Sequence, residues 1–216
     1  MRFIKMTSVL VLMAALFVGQ SHGAESESEE SAVVRLVEAK YSKVDVLKAA
    51  FVQTVKTEAW GEEVQRGEMV LKRPAKMLWE FSSTGKKFVT NGSTMWIYVK
   101  KENQVIRYKD VSATGSTADS LLQSLDKLES LFEVKIVPAP GPGRVLSLLP
   151  KNGDISFKRV RLTLDADNVI KEVVIVDAVN TVTTLQFSAV ELNKVVPDSK
   201  FEFQIPDGAK VIDAGG

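Results

Sequence analysis

The sequence predicts a mainly β protein, a strongly curved antiparallel sheet or partial barrel whose inner face is covered by helices. Three observations carry this expectation. After Asp45 most of the chain alternates apolar and polar residues with a period of two; short turns carrying Gly61, Gly85 and Asn91-Gly92 cut the alternation into strand-length pieces; and helical spacing is confined to a few stretches.

The first helical stretch follows Ser26-x-x-Glu29, the spacing of a capping box. Glu29 and Glu30 suit the positive end of a helix, and Val33, Val34, Val37, Tyr41 and Val44 form one apolar stripe. Period two begins at Leu47-x-Ala49-x-Phe51-x-Gln53-x-Val55 and continues in strands expected near 62–72, 77–82, 87–91, 94–99 and 104–109. A Gly/Ser/Thr-rich loop, 112–117, interrupts the run. Thr117 is placed to cap a second helix, in which Leu121, Leu122, Leu125 and Leu128 share a face. Strands resume at 132–137, 144–149, 157–164, 169–177, 181–192 and 200–205. In the last of these Phe201, Phe203 and Ile205 alternate with Glu202 and Gln204. No repeat of 20–50 residues is evident, and the Pro/Gly-rich 138–143 is too short to separate domains.

The N-terminus has the layout of a secretory signal peptide: Arg2 and Lys5, an apolar run from Val9 to Val18, then Ser21-His22-Gly23. Cleavage after Gly23 is expected, so that 1–23 is a signal peptide and 24–216 a single domain. The apolar run is shorter than the roughly 20 residues a bilayer span needs, and no later segment approaches that length, so the mature chain is expected to be soluble. Removing 1–23 takes two of 28 basic residues and none of 27 acidic ones, leaving a net charge of −1 and no basic nucleic-acid footprint. The chain has no Cys, and its one His, His22, falls in the segment to be removed. Disulfides, thiolate chemistry, a Ser-His-Asp triad and the usual zinc sites are therefore not expected. Carboxylate pairs and Ser–Lys arrangements stay open, and enzyme activity is disfavoured.

The stretch LKRPAKMLWEF, 71–81, places Lys72, Arg73 and Pro74 between two apolar strands. Pro supplies no N–H, so strand pairing stops there and the charges can decorate a solvated turn. Just beyond, Met77, Trp79 and Phe81 project to one side, opposite Lys76 and Glu80, and Met95-Trp96-Ile97-Tyr98-Val99 is apolar on both sides. Large soft side chains serve equally as ordinary core or as an adaptable lining for an apolar ligand.

The runs GEMVLKRPAKMLWEF and TNGSTMWIYVKKENQVIRYKD, the closing FEFQIPDGAKVID and the earlier Phe51-x-Gln53 together resemble the periplasmic outer-membrane lipoprotein carrier family LolA, over essentially the whole mature chain. The resemblance implies an incomplete antiparallel β-barrel of about eleven strands with a helical lid over an apolar cavity. It implies a soluble periplasmic carrier that takes up lipoprotein acyl chains and ferries lipoproteins from inner to outer membrane. Implied with it are a cavity lined by Phe51, Leu71, Met77, Trp79, Phe81, Met95 and Trp96, and a lid helix carrying Leu121, Leu122 and Leu125. Arg73 matches the family's functional arginine, implied to latch the lid from the cavity mouth.

The implied partners are acylated lipoproteins, an inner-membrane lipoprotein-releasing ABC transporter (LolCDE-like) and, where one exists, an outer-membrane receptor like LolB. The chain itself is implied to act as a monomer without cofactor, metal, catalytic residue or nucleic acid. After Trp96-Ile97-Tyr98 the family's Asn/Asp-Pro is replaced by Val99-Lys100-Lys101, in the loop implied to dock on the transporter. LolB shares the fold and is itself a lipoprotein, which the missing Cys argues against here. Two other readings are a fold-related periplasmic protein that binds or senses envelope lipids and, less favoured, a carboxylate-dependent hydrolase.

Overall fold

The computed structural model describes residues 28–109, 121–139, 141–151 and 157–214. The expected signal peptide, its cleavage point, the 112–117 loop and Thr117 lie outside them. Among the described residues twelve strands form one open sheet in the order β12-β6-β5-β4-β3-β2-β1-β11-β10-β9-β8-β7. Two antiparallel meanders make up most of it. The first comprises β1 (Val46–Thr57), β2 (Gly61–Lys72), β3 (Lys76–Phe81), β4 (Lys87–Asn91), β5 (Thr94–Val99) and β6 (Gln104–Lys109). The second comprises β7 (Phe132–Val137), β8 (Arg144–Pro150), β9 (Phe157–Leu164), β10 (Ile170–Asp177) and β11 (Val182–Leu192). β1 and β11 join them, with Phe51 opposite Phe187.

Helix α1 (Glu29–Tyr41) buries Val33, Val34, Val37 and Tyr41, the stripe expected from spacing. Its cap differs from the expected box. Ser28 Oγ accepts the Ser31 N–H at 3.2 Å, so the cap lies two residues after Ser26 and Glu29 lies in the first turn. A one-turn helix, α2 (Leu128–Leu131), leads into β7.

The expected strand at 200–205 is absent. Asp198–Phe201 is a 3-10 turn, and the last strand is β12 (Lys210–Ala214), which pairs with β6 in parallel, with Val211 opposite Val105. The alternation at 201–205 has another cause. Phe201 is fully buried and Phe203 packs 6.2 Å from the Trp96 ring and 6.0 Å from the Tyr98 ring, so the segment covers the sheet's outer face with side chains and forms no ladder. Pro197 and Pro206, on either side, lack the N–H that strand pairing would require.

Two apolar clusters result. On the inner face α1, residues 121–128 and the inward rows of β1–β5 and β7–β11 bury one another. On the outer face Val46, Val70, Leu78 and Val89 pack under Val196 and Phe201. Gly67 shows how tightly the inner rows fit. It lies between Phe51 on β1 and Phe81 on β3, and a Cβ there would collide with the Glu80 carbonyl and the Phe51 ring. Glycine lets the two phenyl rings meet edge to face, 5.1 Å apart.

Candidate functional site

Strand parity builds the apolar part of the site. Met77, Trp79 and Phe81 alternate on β3, and Leu71, Met69 and Phe51 face the same way from β2 and β1. Met69 is paired with Trp79, and Leu71 with Met77. The Phe51 ring stands edge-on to Trp79 at 4.7 Å. Met95 enters from β5, and Leu121, Leu122 and Leu125 close the cluster from above, each at most 4% exposed. Trp96 is a correction. It belongs to the outer face, against Phe203, because neighbours on a strand point oppositely and Met95 takes the inner side. The C-terminal segment hides that face as well, which is why β5 is apolar on both sides.

Arg73 sits where the sheet meets the covering segments. Its backbone N–H donates to the Asp45 carbonyl at 2.8 Å, which fixes the start of its side chain. Its guanidinium donates from Nη1 to Asp126 Oδ2 at 2.7 Å and from Nη2 to the Tyr41 carbonyl, at the end of α1, at 3.4 Å. One side chain thus ties the sheet to α1 and to the turn after Leu125. Tyr41 is anchored separately: its hydroxyl accepts the Ile170 N–H at 2.9 Å, and burial pushes its pKa up to about 12. The hydrogen bond between Arg73 and Asp126 raises the Arg73 pKa and holds Asp126 below the usual carboxylate range. Asp126 Oδ1 is buried and has no hydrogen-bond partner among the described residues.

Sequence reasoning missed Asp126, although it is the one carboxylate in LLQSLDKL, 121–128, a signal that could have marked it. It also missed Met69, which shares the inward row. Among the described residues, side chains fill the space beside Arg73 where the leucine-bearing segment meets the sheet. The gap bounded by Tyr41, Leu47, Leu71, Arg73 and Leu122 is about 20 Å³, against the ~300 Å³ or more of a small-ligand site. Among the described residues no three His, Cys, Asp or Glu side chains group to hold a metal ion, and no helix is long and apolar enough to cross a membrane.

A conserved protein from Thermus thermophilus has a similar fold, with a TM-score of 0.54 at 15% identity over 86% of this chain and all of that one. Sequence relatives are nearer. An outer-membrane lipoprotein carrier protein of Azotobacter vinelandii is 30% identical over 94% of this chain and 97% of its own length. One from Chromobacterium violaceum is 30% identical over 88% of this chain and 91% of its own. The family model described as outer membrane lipoprotein carrier protein LolA matches residues 42–204, from the turn after α1 through the cover of the outer face. With that span and those relatives, the chain belongs to the LolA family of outer-membrane lipoprotein carrier proteins.

Proposed function

We propose that the protein is a soluble periplasmic carrier that takes lipoprotein acyl chains between the inner sheet face and the leucine-bearing segment, and ferries lipoproteins from inner to outer membrane. The observation that carries this is the Arg73 junction: a continuous apolar interior of Met, Phe and Trp is closed over by Leu121, Leu122 and Leu125, and an ion pair fastens the closure at its edge. Each buried methylene contributes about 0.8 kcal/mol, so a lipoprotein with several chains leaves a membrane too slowly unless an escort hides those chains from water. The escort must also give them up. Closure of the apolar surface over itself opposes cargo binding and lowers net affinity by whatever the closed state gains, which is the property a hand-over step needs.

On this reading Arg73 is the latch and Asp126 its main counterpart, and Phe51, Leu71, Met77, Trp79, Phe81 and Met95 meet the acyl chains when the lid lifts. An ABC transporter of the inner membrane supplies cargo, an outer-membrane receptor or the membrane itself accepts it, residues 1–23 direct export, and 24–216 act as one domain. No catalytic step is involved. The test is calorimetric titration with tri-acylated, mono-acylated and unacylated forms of one lipopeptide. Binding should strengthen with each chain and vanish without any; equal binding of all three would remove the physical basis of the reading.

A further inference from the structure

On the outer face some cations of the two meanders are paired and others are not. In the first, Lys72 and Lys76 both hold Asp198, Lys87 holds Glu80 and Arg107 holds Asp213. In the second, Arg159 and Arg161 on β9 and Lys171 on β10 have no ion-pair or hydrogen-bond partner among the described residues. The nearby carboxylate of Glu172 accepts from Gln186 Nε2 at 3.1 Å.

These three cations line a groove of about 750 Å³, floored by Val145, Ser147 and Thr163. Arg159 and Arg161 are two positions apart on one strand, so their side chains leave the same face about 6.8 Å apart. That is also the spacing of alternate side chains in any extended peptide. Arg presents a planar fork that takes a carboxylate through two parallel N–H···O bonds, and the apolar and hydroxyl floor suits the backbone and small side chains between the acids. A bilayer surface fits less well, because the cations line a hollow in a twisted sheet and do not stand on a projecting surface.

We infer that this groove is a docking site for an extended acidic polypeptide segment, with carboxylates at alternate positions seated on Arg159 and Arg161 and a further one near Lys171. The inference is independent of the acyl-chain reading, since the groove lies on the opposite face of the sheet from the inner cluster.

The test uses the full chain and a fluorescein-labelled peptide of alternating Ser and Glu, read by anisotropy at low ionic strength. Arg159→Gln and Arg161→Gln should each weaken binding about fivefold, and added salt should weaken it further. An isomer with its Glu residues in one block should bind less tightly than the alternating peptide. Equal binding of the two isomers, or an unchanged affinity in the double variant, overturns the proposal. So does arginine-dependent sedimentation with phosphatidylglycerol vesicles in a protein that ignores the peptide. If the double variant fails to fold, Lys171→Gln carries the test, with a loss of similar size expected and no loss counting against the site.

Discussion

Arg73 is 34% exposed and Asp126 12%, so the two partners of this ion pair stand differently toward water. Arg73 can turn outward if its partner is lost, whereas Asp126 would keep a largely buried charge. The milder probe is therefore Asp126→Asn, which keeps the shape and removes the charge. Held below its ordinary value of 3.8 in the folded chain, Asp126 adds stability that is fully present above that value and is lost as the pH falls through the lower, folded value. Arg73, raised from an already high value, stays charged throughout. Urea unfolding should show Asp126→Asn less stable than the parent by about 1 kcal/mol from pH 8 down to pH 5, with the two curves converging in strong acid. A difference that kept its full size in acid would place its source elsewhere than in this ion pair. Arg73 was marked in the sequence only through the family resemblance of its Lys72-Arg73-Pro74 stretch, since the residues alone also describe a solvated turn. Asp126 was not, because a single acid after a leucine face resembles ordinary helix decoration.

At the scale of elements, the segment from Val196 to Phe203 matters more than its irregular backbone suggests. It lies over β3 and β4, whose other face carries Trp79 and Phe81 from β3 and Phe88 from β4, and so fixes the sheet from behind. Lys72 Nζ reaches the Val196 carbonyl at 2.8 Å, and Lys72 and Lys76 share Asp198, whose pKa falls to about 2 through their hydrogen bonds. Phe201, wholly buried beneath it, supplies the apolar anchor. Phe201→Ala should cost about 3–5 kcal/mol in urea unfolding. Asp198→Asn, at an exposed site, should move the midpoint far less, and only above the carboxylate range: the contribution is present above 3.8 and disappears between there and about 2. If Asp198→Asn were the more damaging of the two, the segment would be held by charge and not by packing.

The same segment shows where periodicity misleads. Two phenylalanines two positions apart face the same way whether or not a ladder forms, so 201–205 has the pattern of a strand. The actual strand, Lys210–Ala214, has only Val211, Ile212 and Ala214 to announce it, and a parallel partner more than a hundred residues away. By contrast the hairpins of the first meander were legible because local turns fix their register.

For the whole molecule, a sequence read strand by strand indicates which residues alternate but not which side of a sheet is hidden, and here both sides are hidden over β3–β5. Trp79 and Trp96 illustrate the consequence: both are buried or partly buried and both lie in aromatic-rich strands, yet one belongs to the inner cluster and the other to the outer. The third tryptophan, Trp60, is 91% exposed at the turn between β1 and β2. The three therefore report on the interior, the covered back and the solvent, which makes the path of an acyl chain measurable. With phenylalanine in place of two tryptophans at a time, each single-tryptophan protein can be titrated with a lipopeptide whose acyl chain carries bromine, a short-range quencher. If the chain enters between the sheet and the leucine segment, Trp79 fluorescence should fall saturably, while Trp96 and Trp60 keep theirs. The filled space beside Arg73 adds a further condition. Entry requires the leucine segment to move, so weakening its fastening with Asp126→Asn should shift the Trp79 titration to lower ligand concentration, severalfold for a latch worth about 1 kcal/mol. Quenching of Trp96 alone would put the chain on the outer face. Trp79 quenching that was indifferent to Asp126 would leave the acyl-chain route standing and remove the latch.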